Sequence, residues 1–213
     1  MSIPHLRSRG DRPTPDSAHS APGIQVSGVE VWPGPIPRTP QCAEHPLVWL
    51  LGAHGGSAVS TLTASLDWSG DSQRRWPSGA NGDSPLVAIV ARADTAGLAA
   101  AHRLLMAHHN REIPEQIQLL GLITVPYTDR PRSRDIAREL DRVESLAPRS
   151  WRLGWIEPWR HLLPADLPSW GPQSVLPTDK RTRNDPRAVP VAPIREHLHP
   201  RLLAAAAEAL KPP

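Results

Sequence analysis

Short apolar runs alternate with helical patterns through the middle of this chain. Residues 47–52 (LVWLLG), 86–91 (LVAIVA) and 119–125 (LLGLITV) have the length and composition of buried strands, and residues 151–156 (WRLGWI) end the series as a fourth strand. Strands that alternate with helices favour right-handed crossovers and a parallel sheet covered on both faces. The pattern therefore predicts an α/β domain with a parallel sheet of about four to five strands and flanking helices.

Three helices are predicted between and after these strands. They cover residues 60–66, 95–109 and 133–146. The second and third place apolar side chains on one face at helical spacing. Residues 67–84 are rich in glycine, serine and charge and contain no apolar run, which predicts a polar loop. The strand at 47–52 is expected at the centre of the sheet, with Ser60 at the start of the following helix.

Proline separates the ends of the chain from its middle, because the 26 prolines crowd the two ends. Residues 1–45 mix proline, serine and charge without a hydrophobic period, which predicts a disordered tail with an edge strand at residues 24–32. Residues 164–195 are predicted to form a proline-rich linker. Residues 196–213 are predicted to form a helix that docks on the sheet or binds a partner. Residues 46–163 are able to bury a core, so function is expected there.

The composition limits the compartment and the chemistry. Cys42 is the single cysteine, so neither an intrachain disulfide nor a cysteine metal cluster is expected. The N-terminus lacks the apolar segment of a signal peptide, and no apolar run reaches the roughly 20 residues of a membrane helix, which predicts a cytoplasmic protein without a membrane partner. Lys180 and Lys211 are the only lysines of the chain, whereas arginines are numerous, a bias typical of high-GC bacterial genomes. With a net charge of only +3, the arginines alone do not indicate nucleic-acid binding.

A glycine-rich turn joins the first predicted strand to the first predicted helix. Glycine lets backbone amides converge, and a helix N-terminus adds positive potential, so such a turn can cradle phosphate. Gly55, Gly56 and Ser57 form the turn, and Ser60 and Thr61 supply hydroxyls where a phosphate-binding loop places its magnesium ligand. The sequence therefore predicts a candidate nucleotide site at this turn.

The run AHGGSAVST at residues 53–61 resembles the deviant Walker A motif of ParA/MinD-type ATPases, which reads G-K-G-G-x-G-K-[ST]-T. Gly55 and Gly56 stand at the middle glycines of that motif, and Ser60 and Thr61 stand at its hydroxyl pair. Later strands and helices of the predicted domain also resemble the family. The resemblance implies a reduced fold of the P-loop NTPase kind with long proline-rich tails.

Four positions depart from the motif. His54 replaces the signature lysine, Val59 replaces the phosphate lysine, and Ala53 and Ala58 replace the outer glycines. One charged hydrogen bond to phosphate contributes about 1.5–3 kcal/mol, so losing the lysine at position 59 weakens nucleotide binding by about ten- to a hundredfold. That lysine also stabilises charge in the transition state, so hydrolysis is expected to be lost. If nucleotide binding is retained, the resemblance assigns it to His54, Gly55, Gly56, Ser57, Ser60 and Thr61.

The resemblance leaves two functions open. The first is a non-catalytic interaction or regulatory protein on a degenerate ParA/MinD-like domain, which needs no cofactor. The second is a weak nucleotide-binding ATPase of the same type, which needs ATP and magnesium. The chain also resembles an uncharacterised family of small actinobacterial proteins linked to mobile elements. That resemblance names a relative without supplying an activity. For the non-catalytic protein, the expected role is in plasmid or conjugative-element maintenance, with another protein or a second copy of this chain as partner.

Two further candidates lie outside the glycine turn. Asp94 opens the run DTAG, which resembles a GTPase switch II whose aspartate holds magnesium through water, although an aspartate before a helix is also a common N-cap. Arg134, Arg138 and Arg142 recur every four residues on the third helix and are candidates for DNA-phosphate contacts. Acidic residues interleave with them, so a salt-bridged solvent face is the alternative. The ten histidines show no metal-ligand spacing.

Overall fold

The computed structural model describes residues 24–26, 29–40, 42–79 and 82–211. Two strands, β1 (Ile24–Val26) and β2 (Val29–Val31), form a separate antiparallel pair. The main sheet contains β3 (Val48–Gly52), β4 (Ser69–Asp71), β5 (Leu86–Arg92), β6 (Gln118–Val125) and β7 (Ser150–Arg152). All four neighbouring pairs of this sheet are parallel, which confirms the predicted α/β fold class.

The strand order of the main sheet is β4-β3-β5-β6-β7. Numbered along the chain, these five strands follow the order 2-1-3-4-5, a common doubly wound arrangement in which the order reverses between β3 and β5. Ligands of doubly wound proteins bind at the carboxyl ends of the strands beside such a reversal. The prediction that β3 is the central strand is wrong, because β5 holds the centre and β3 lies second from one edge.

Helices cover both faces of the sheet. The helices are α1 (Val59–Ser65), α2 (Thr95–His109), α3 (Arg134–Glu144), α4 (Lys180–Arg183) and α5 (His199–Ala209). Successive residues of β3 point to opposite faces: Trp49 and Leu51 join the apolar cluster that contains the buried sides of α2 and α3, whereas Val48 and Leu50 join the cluster of α1 and α5. Helix α1 contains Ser60 as its second residue, so the predicted helix start is confirmed.

The segment predicted as a polar loop at residues 67–84 contains β4, so that prediction is wrong. Strand β4 has the sequence SGD, too short and too polar to be recognised as a strand. Backbone pairing with β3 holds it, and the flanking Trp68 and Trp76 are buried. The predicted strand at residues 151–156 is also shorter than expected, because β7 ends at Arg152.

The folded part of the chain begins before residue 46. Residues 1–23 of the predicted tail lie outside the described residues, but Val31, Trp32 and Ile36 are buried in the core. The Trp32 indole donates a hydrogen bond to the carbonyl of Ser72 at 2.8 Å, and the Ile36 amide donates to the Asp83 carboxylate at 2.9 Å. This proline-rich segment therefore packs through the burial of these three side chains and through two hydrogen bonds to later residues.

The end of the chain also contacts the sheet. Within residues 164–195, predicted as a linker, Trp170 forms an isolated bridge with Leu66 and Val189 is buried. A π-helix at Pro193–Leu198 leads into α5, whose Leu202 lies in the α1-side cluster. Among the described residues, none of the helices combines the length and hydropathy that a membrane span requires.

Candidate functional site

The glycine turn forms one wall of a cavity at the carboxyl end of β3. The cavity has a volume of about 530 Å³. Its lining includes all six residues for which the sequence predicts nucleotide contacts: His54, Gly55, Gly56, Ser57, Ser60 and Thr61. The structure thus brings the predicted residues together beside the point where the strand order reverses. This space is called the glycine-loop cavity below.

The backbone of the turn is left-handed at two positions. Gly56 has φ 80°, and Ala58, the N-cap of α1, has φ 68° and makes no side-chain cap. The left-handed conformation costs an L-residue about 1–2 kcal/mol, whereas it costs glycine almost nothing. Ala58 therefore holds a conformation that suits the glycine of the Walker-type motif, and the turn contains stored strain.

Val59 lies inside the protein. Its side chain is only 7% exposed and belongs to the apolar cluster on the α1 side of the sheet. A Cβ atom added at Gly52 would lie 2.7 Å from the Ser57 hydroxyl oxygen and 3.1 Å from a Val59 methyl carbon, so the turn folds tightly back over the end of β3. Position 59 therefore presents an apolar side chain, and no positive charge, beside the glycine-loop cavity that it lines.

His54 uses both ring nitrogens within the protein. Its Nε2 accepts a hydrogen bond from the Arg92 backbone amide at 3.2 Å, and its Nδ1 lies 2.7 Å from the Gly55 carbonyl oxygen. An accepting nitrogen carries no proton, so this arrangement corresponds to the neutral ring with Nδ1–H donating to Gly55. A Cβ at Gly97 would lie 2.8 Å from Nε2, which places the ring against the start of α2. His54 therefore supports the loop instead of presenting a positive charge to a ligand.

The opposite wall of the glycine-loop cavity contains Asp71, Gln73 and Arg74, which the sequence analysis missed. The Asp71 carboxylate accepts a hydrogen bond from the Gln73 amide at 2.7 Å, and burial raises the pKa of Asp71. Gln73 and Arg74 are both left-handed, with φ 54° and 63°. The only sequence signal for this wall is a short polar run between Trp68 and Trp76, which the sequence analysis assigned to a loop.

Asp94 lies outside this cavity and caps α2. One carboxylate oxygen accepts from the Gly97 amide at 2.7 Å, and the other accepts from the Arg92 side chain at 2.6 Å. Partial burial acts to raise the pKa of Asp94, but the hydrogen bonds from Gly97 and Arg92 outweigh it and lower the pKa. Both oxygens are engaged, so the N-cap alternative describes this residue and the geometry lends no support to a magnesium-water role.

A second cavity of about 540 Å³ lies between the loops that follow β5, β6 and β7. Tyr127 and Trp155 line it with 62% and 38% of their surface exposed, and Arg130 and Arg132 lie beside them. The Arg92 guanidinium carbon lies 4.8 Å from the centroid of the Tyr127 ring, a cation–π distance. Tyr127, Arg130, Arg132 and Trp155 are called the aromatic–arginine patch below.

The arginines predicted to contact DNA are exposed on α3 and line neither cavity, although Ser133 and Ile136 beside Arg134 line the second one. Arg142 bonds Glu139 with 2.9 Å between its Nε and a carboxylate oxygen, and Arg138 lies 3.9 Å from Asp135. The hydrogen bond from Arg142 lowers the pKa of Glu139. Arg134 opens the helix behind its Ser133 cap. Exposed pairs of this kind contribute little energy and agree with a salt-bridged solvent face.

Within the part of the chain that the structure describes, no group of three or more metal-ligating side chains could hold an ion. Comparison of the chain with protein-family models, curated proteins and solved structures finds no match.

Proposed function

We propose that this protein is a non-catalytic interaction or regulatory protein, and that its α/β domain carries a degenerate ParA/MinD-type loop and serves a plasmid or conjugative element. The observation that carries the proposal is the burial of Val59 at the position of the phosphate lysine. Phosphoryl transfer depends on positioning and on positive charge near the transferred group. Neither position 54 nor position 59 supplies that charge, because the His54 ring bonds to the backbone.

The aromatic–arginine patch is the surface on which we expect the partner to bind. Tyr, Trp and Arg are the side chains most enriched among the residues that dominate protein interfaces. Tyr127 and Trp155 are large apolar groups left exposed beside Arg130 and Arg132. The carboxyl edge of the sheet binds small ligands in other doubly wound proteins, and here it would bind a protein.

Calorimetry with ATP and magnesium, together with a phosphate-release assay, tests the absence of catalysis. We expect no tight complex and no release above background. The proposal would be overturned if ATP bound with a micromolar dissociation constant, if Ser60→Ala weakened that binding, and if hydrolysis rose above background. Asp71→Asn adds a second check, because a loss of hydrolysis in that variant would assign Asp71 to a magnesium site.

Capture of a partner from the source organism tests the binding surface. We compare the wild type with Tyr127→Ser/Trp155→Ser and with Val175→Ser, a control that removes a side chain 84% exposed. The wild type and the control should retain the same partner, and the double variant should lose most of it. Self-association is followed by sedimentation with the same three proteins. Equal retention and equal sedimentation of all three would contradict the assigned surface.

Weak nucleotide binding remains the second candidate function. The observation in its favour is the glycine-loop cavity itself, whose volume of about 530 Å³ lies within the range of ligand pockets. Arg74 supplies a positive charge on its far wall. Binding that Ser60→Ala and Arg74→Gln both weaken, without any hydrolysis, would select this candidate.

A further inference from the structure

A third cavity lies on the α2 side of the sheet, away from the aromatic–arginine patch. It has a volume of about 460 Å³ and is bounded by α2, by β2 and by the turn that follows β4. It shares only Gly52, Gln73 and Arg74 with the glycine-loop cavity. It is called the arginine cavity below, because Arg74, Arg75 and Arg103 line it.

Positive charge dominates the lining of the arginine cavity. Three guanidinium groups stand against one carboxylate, that of Glu30. Arg75 bonds that carboxylate at 3.1 Å, and its guanidinium carbon lies 4.7 Å from the Trp32 ring centroid, so Arg75 is fixed in place with 14% of its side chain exposed. Arg74 and Arg103 are in no ion pair with a carboxylate of the described residues. Arg103 is therefore available to an anion, and Arg74 is available in part, because its charge also acts on the nearby Asp71 carboxylate.

The wall of the cavity also contains a buried donor without an acceptor. Trp76 is 1% exposed, and its indole N–H makes no hydrogen bond among the described residues. A buried polar group left without a partner costs about 1–3 kcal/mol. Trp76 lines the cavity, but its indole nitrogen has almost no exposed surface, so a bound ligand contacts the indole ring and not the N–H.

The arginines are held at the cavity by a strained turn. Gln73 and Arg74 are consecutive left-handed residues, a conformation that costs L-residues about 1–2 kcal/mol each. Hydrogen bonds fix the turn, from the Gln73 amide to the Asp71 carboxylate at 2.7 Å and from the Gln73 side chain to the Pro37 carbonyl at 2.8 Å. Such strain persists where the surroundings over-determine it, and it concentrates at ligand sites.

We propose that the arginine cavity binds a phosphorylated small molecule. Arg74 and Arg103 contact the phosphate oxygens, Arg75 supplies fixed positive potential, and the Trp76 ring forms part of the wall beside the ligand. The volume exceeds that of a phosphate ion and accommodates an organic group attached to it. The site is independent of the proposed partner surface, since the two cavities share no lining residue.

Calorimetry on the full chain at low salt tests the site with three probes: inorganic phosphate, pyrophosphate and a nucleoside monophosphate. We expect the phosphate ester or pyrophosphate to bind, and Arg103→Gln to weaken binding by about tenfold or more, since one charged hydrogen bond is lost. Arg138→Gln on α3 is the matched control, because it removes an exposed helical arginine that lines none of the cavities, and it should leave affinity unchanged.

Two more variants separate the arginine cavity from other sites. Arg74→Gln removes one of the two proposed phosphate contacts and should weaken the same ligand severalfold, and Ser60→Ala in the glycine-loop cavity should not. Three outcomes would overturn the proposal: no probe binds, Arg103→Gln and Arg138→Gln act equally, or Ser60→Ala alone weakens binding. Binding of a DNA duplex but of none of the three probes, with an affinity that falls steeply with salt, would also overturn the proposal, because it would assign Arg74 and Arg103 to a nucleic-acid surface.

Discussion

Two turns at the same edge of the sheet each connect a strand to the following helix, and they differ in how the helix begins. The turn between β5 and α2 ends in Asp94, whose carboxylate caps a helix of 15 residues. The turn between β3 and α1 ends in Ala58, which is left-handed and offers no side-chain cap to a helix of 7 residues. The first arrangement gives the Gly97 amide an acceptor and stabilises the start of the helix, whereas the second leaves the start of α1 without a side-chain cap beside the glycine-loop cavity.

The strained turn depends on the capped one. His54 accepts a hydrogen bond from the Arg92 amide at the end of β5, and its ring lies against Gly97 in the first turn of α2. Arg92 in turn bonds the capping carboxylate of Asp94. The comparison therefore indicates that stability is concentrated in the β5–α2 turn and that the glycine turn is supported from outside. Substitutions in the two turns should differ accordingly.

Glycine-to-alanine substitutions should show the largest difference. A Cβ at Gly97 would collide with the Arg92 carbonyl and crowd the His54 ring, and backbone cannot yield cheaply. We expect Gly97→Ala to lower the free energy of unfolding by about 3 kcal/mol, although alanine is the better helix former. Gly55→Ala meets no atom within 4 Å and should change it by less than about 0.5 kcal/mol. Urea unfolding measures both, and equal effects would contradict the comparison.

Removal of the cap should have the next largest effect. Asp94→Ala removes the acceptor for the Gly97 amide and the partner of Arg92, so we expect a loss of about 1–2 kcal/mol in the free energy of unfolding. Asp94→Asn keeps a capping oxygen and should lose only a few tenths of a kcal/mol. If the two variants were equally destabilised in urea, the charge and not the cap would be responsible.

The same contrast marks how far the sequence could predict the molecule. Apolar periodicity predicts the bounds of α2, because Asp94 is a standard cap and the helix is long. It misses β4, since three residues with the sequence SGD carry no pattern and are held only by pairing with β3. The six residues of the glycine turn were predictable from local sequence, but Asp71, Gln73 and Arg74 reach the cavity through β4 and could not be assigned without it.

Relief of strain at Ala58 gives a prediction of opposite sign. We expect Ala58→Gly to raise the free energy of unfolding by about 0.5–1 kcal/mol, because glycine accepts φ 68° without a Cβ penalty. Ala99→Gly makes the same exchange at an exposed position within α2 and should lower it by about 1 kcal/mol. A destabilised Ala58→Gly would show that the turn is not strained at this residue.

The smallest effect concerns the helix that covers the α1 side of the sheet. His199, the first residue of α5, is buried, and its Nδ1 accepts a hydrogen bond from the indole of Trp68 at 3.0 Å. Burial lowers the pKa of His199, with the charge of Asp67 acting weakly in the opposite direction. The α1 side of the molecule therefore contains a histidine that folds in its neutral form.

The sign of the pH dependence follows from that lowered pKa. The unfolded chain binds a proton at His199 near its ordinary value of about 6.5, whereas the folded chain does not until the pH is lower, so stability is present above that value and is lost as the pH falls through the folded pKa. We expect His199→Gln to be less stable near neutral pH, yet to lose less free energy of unfolding between about pH 7.5 and about pH 5.5.

His197→Gln, at an exposed position two residues away, is the control and should keep the wild-type dependence of stability on pH. Burial also lowers the pKa of His108 on the α2 side, so a residual slope remains in His199→Gln. Urea unfolding at the two pH values measures these slopes, and an unchanged slope in His199→Gln would show that the acid sensitivity arises from other groups.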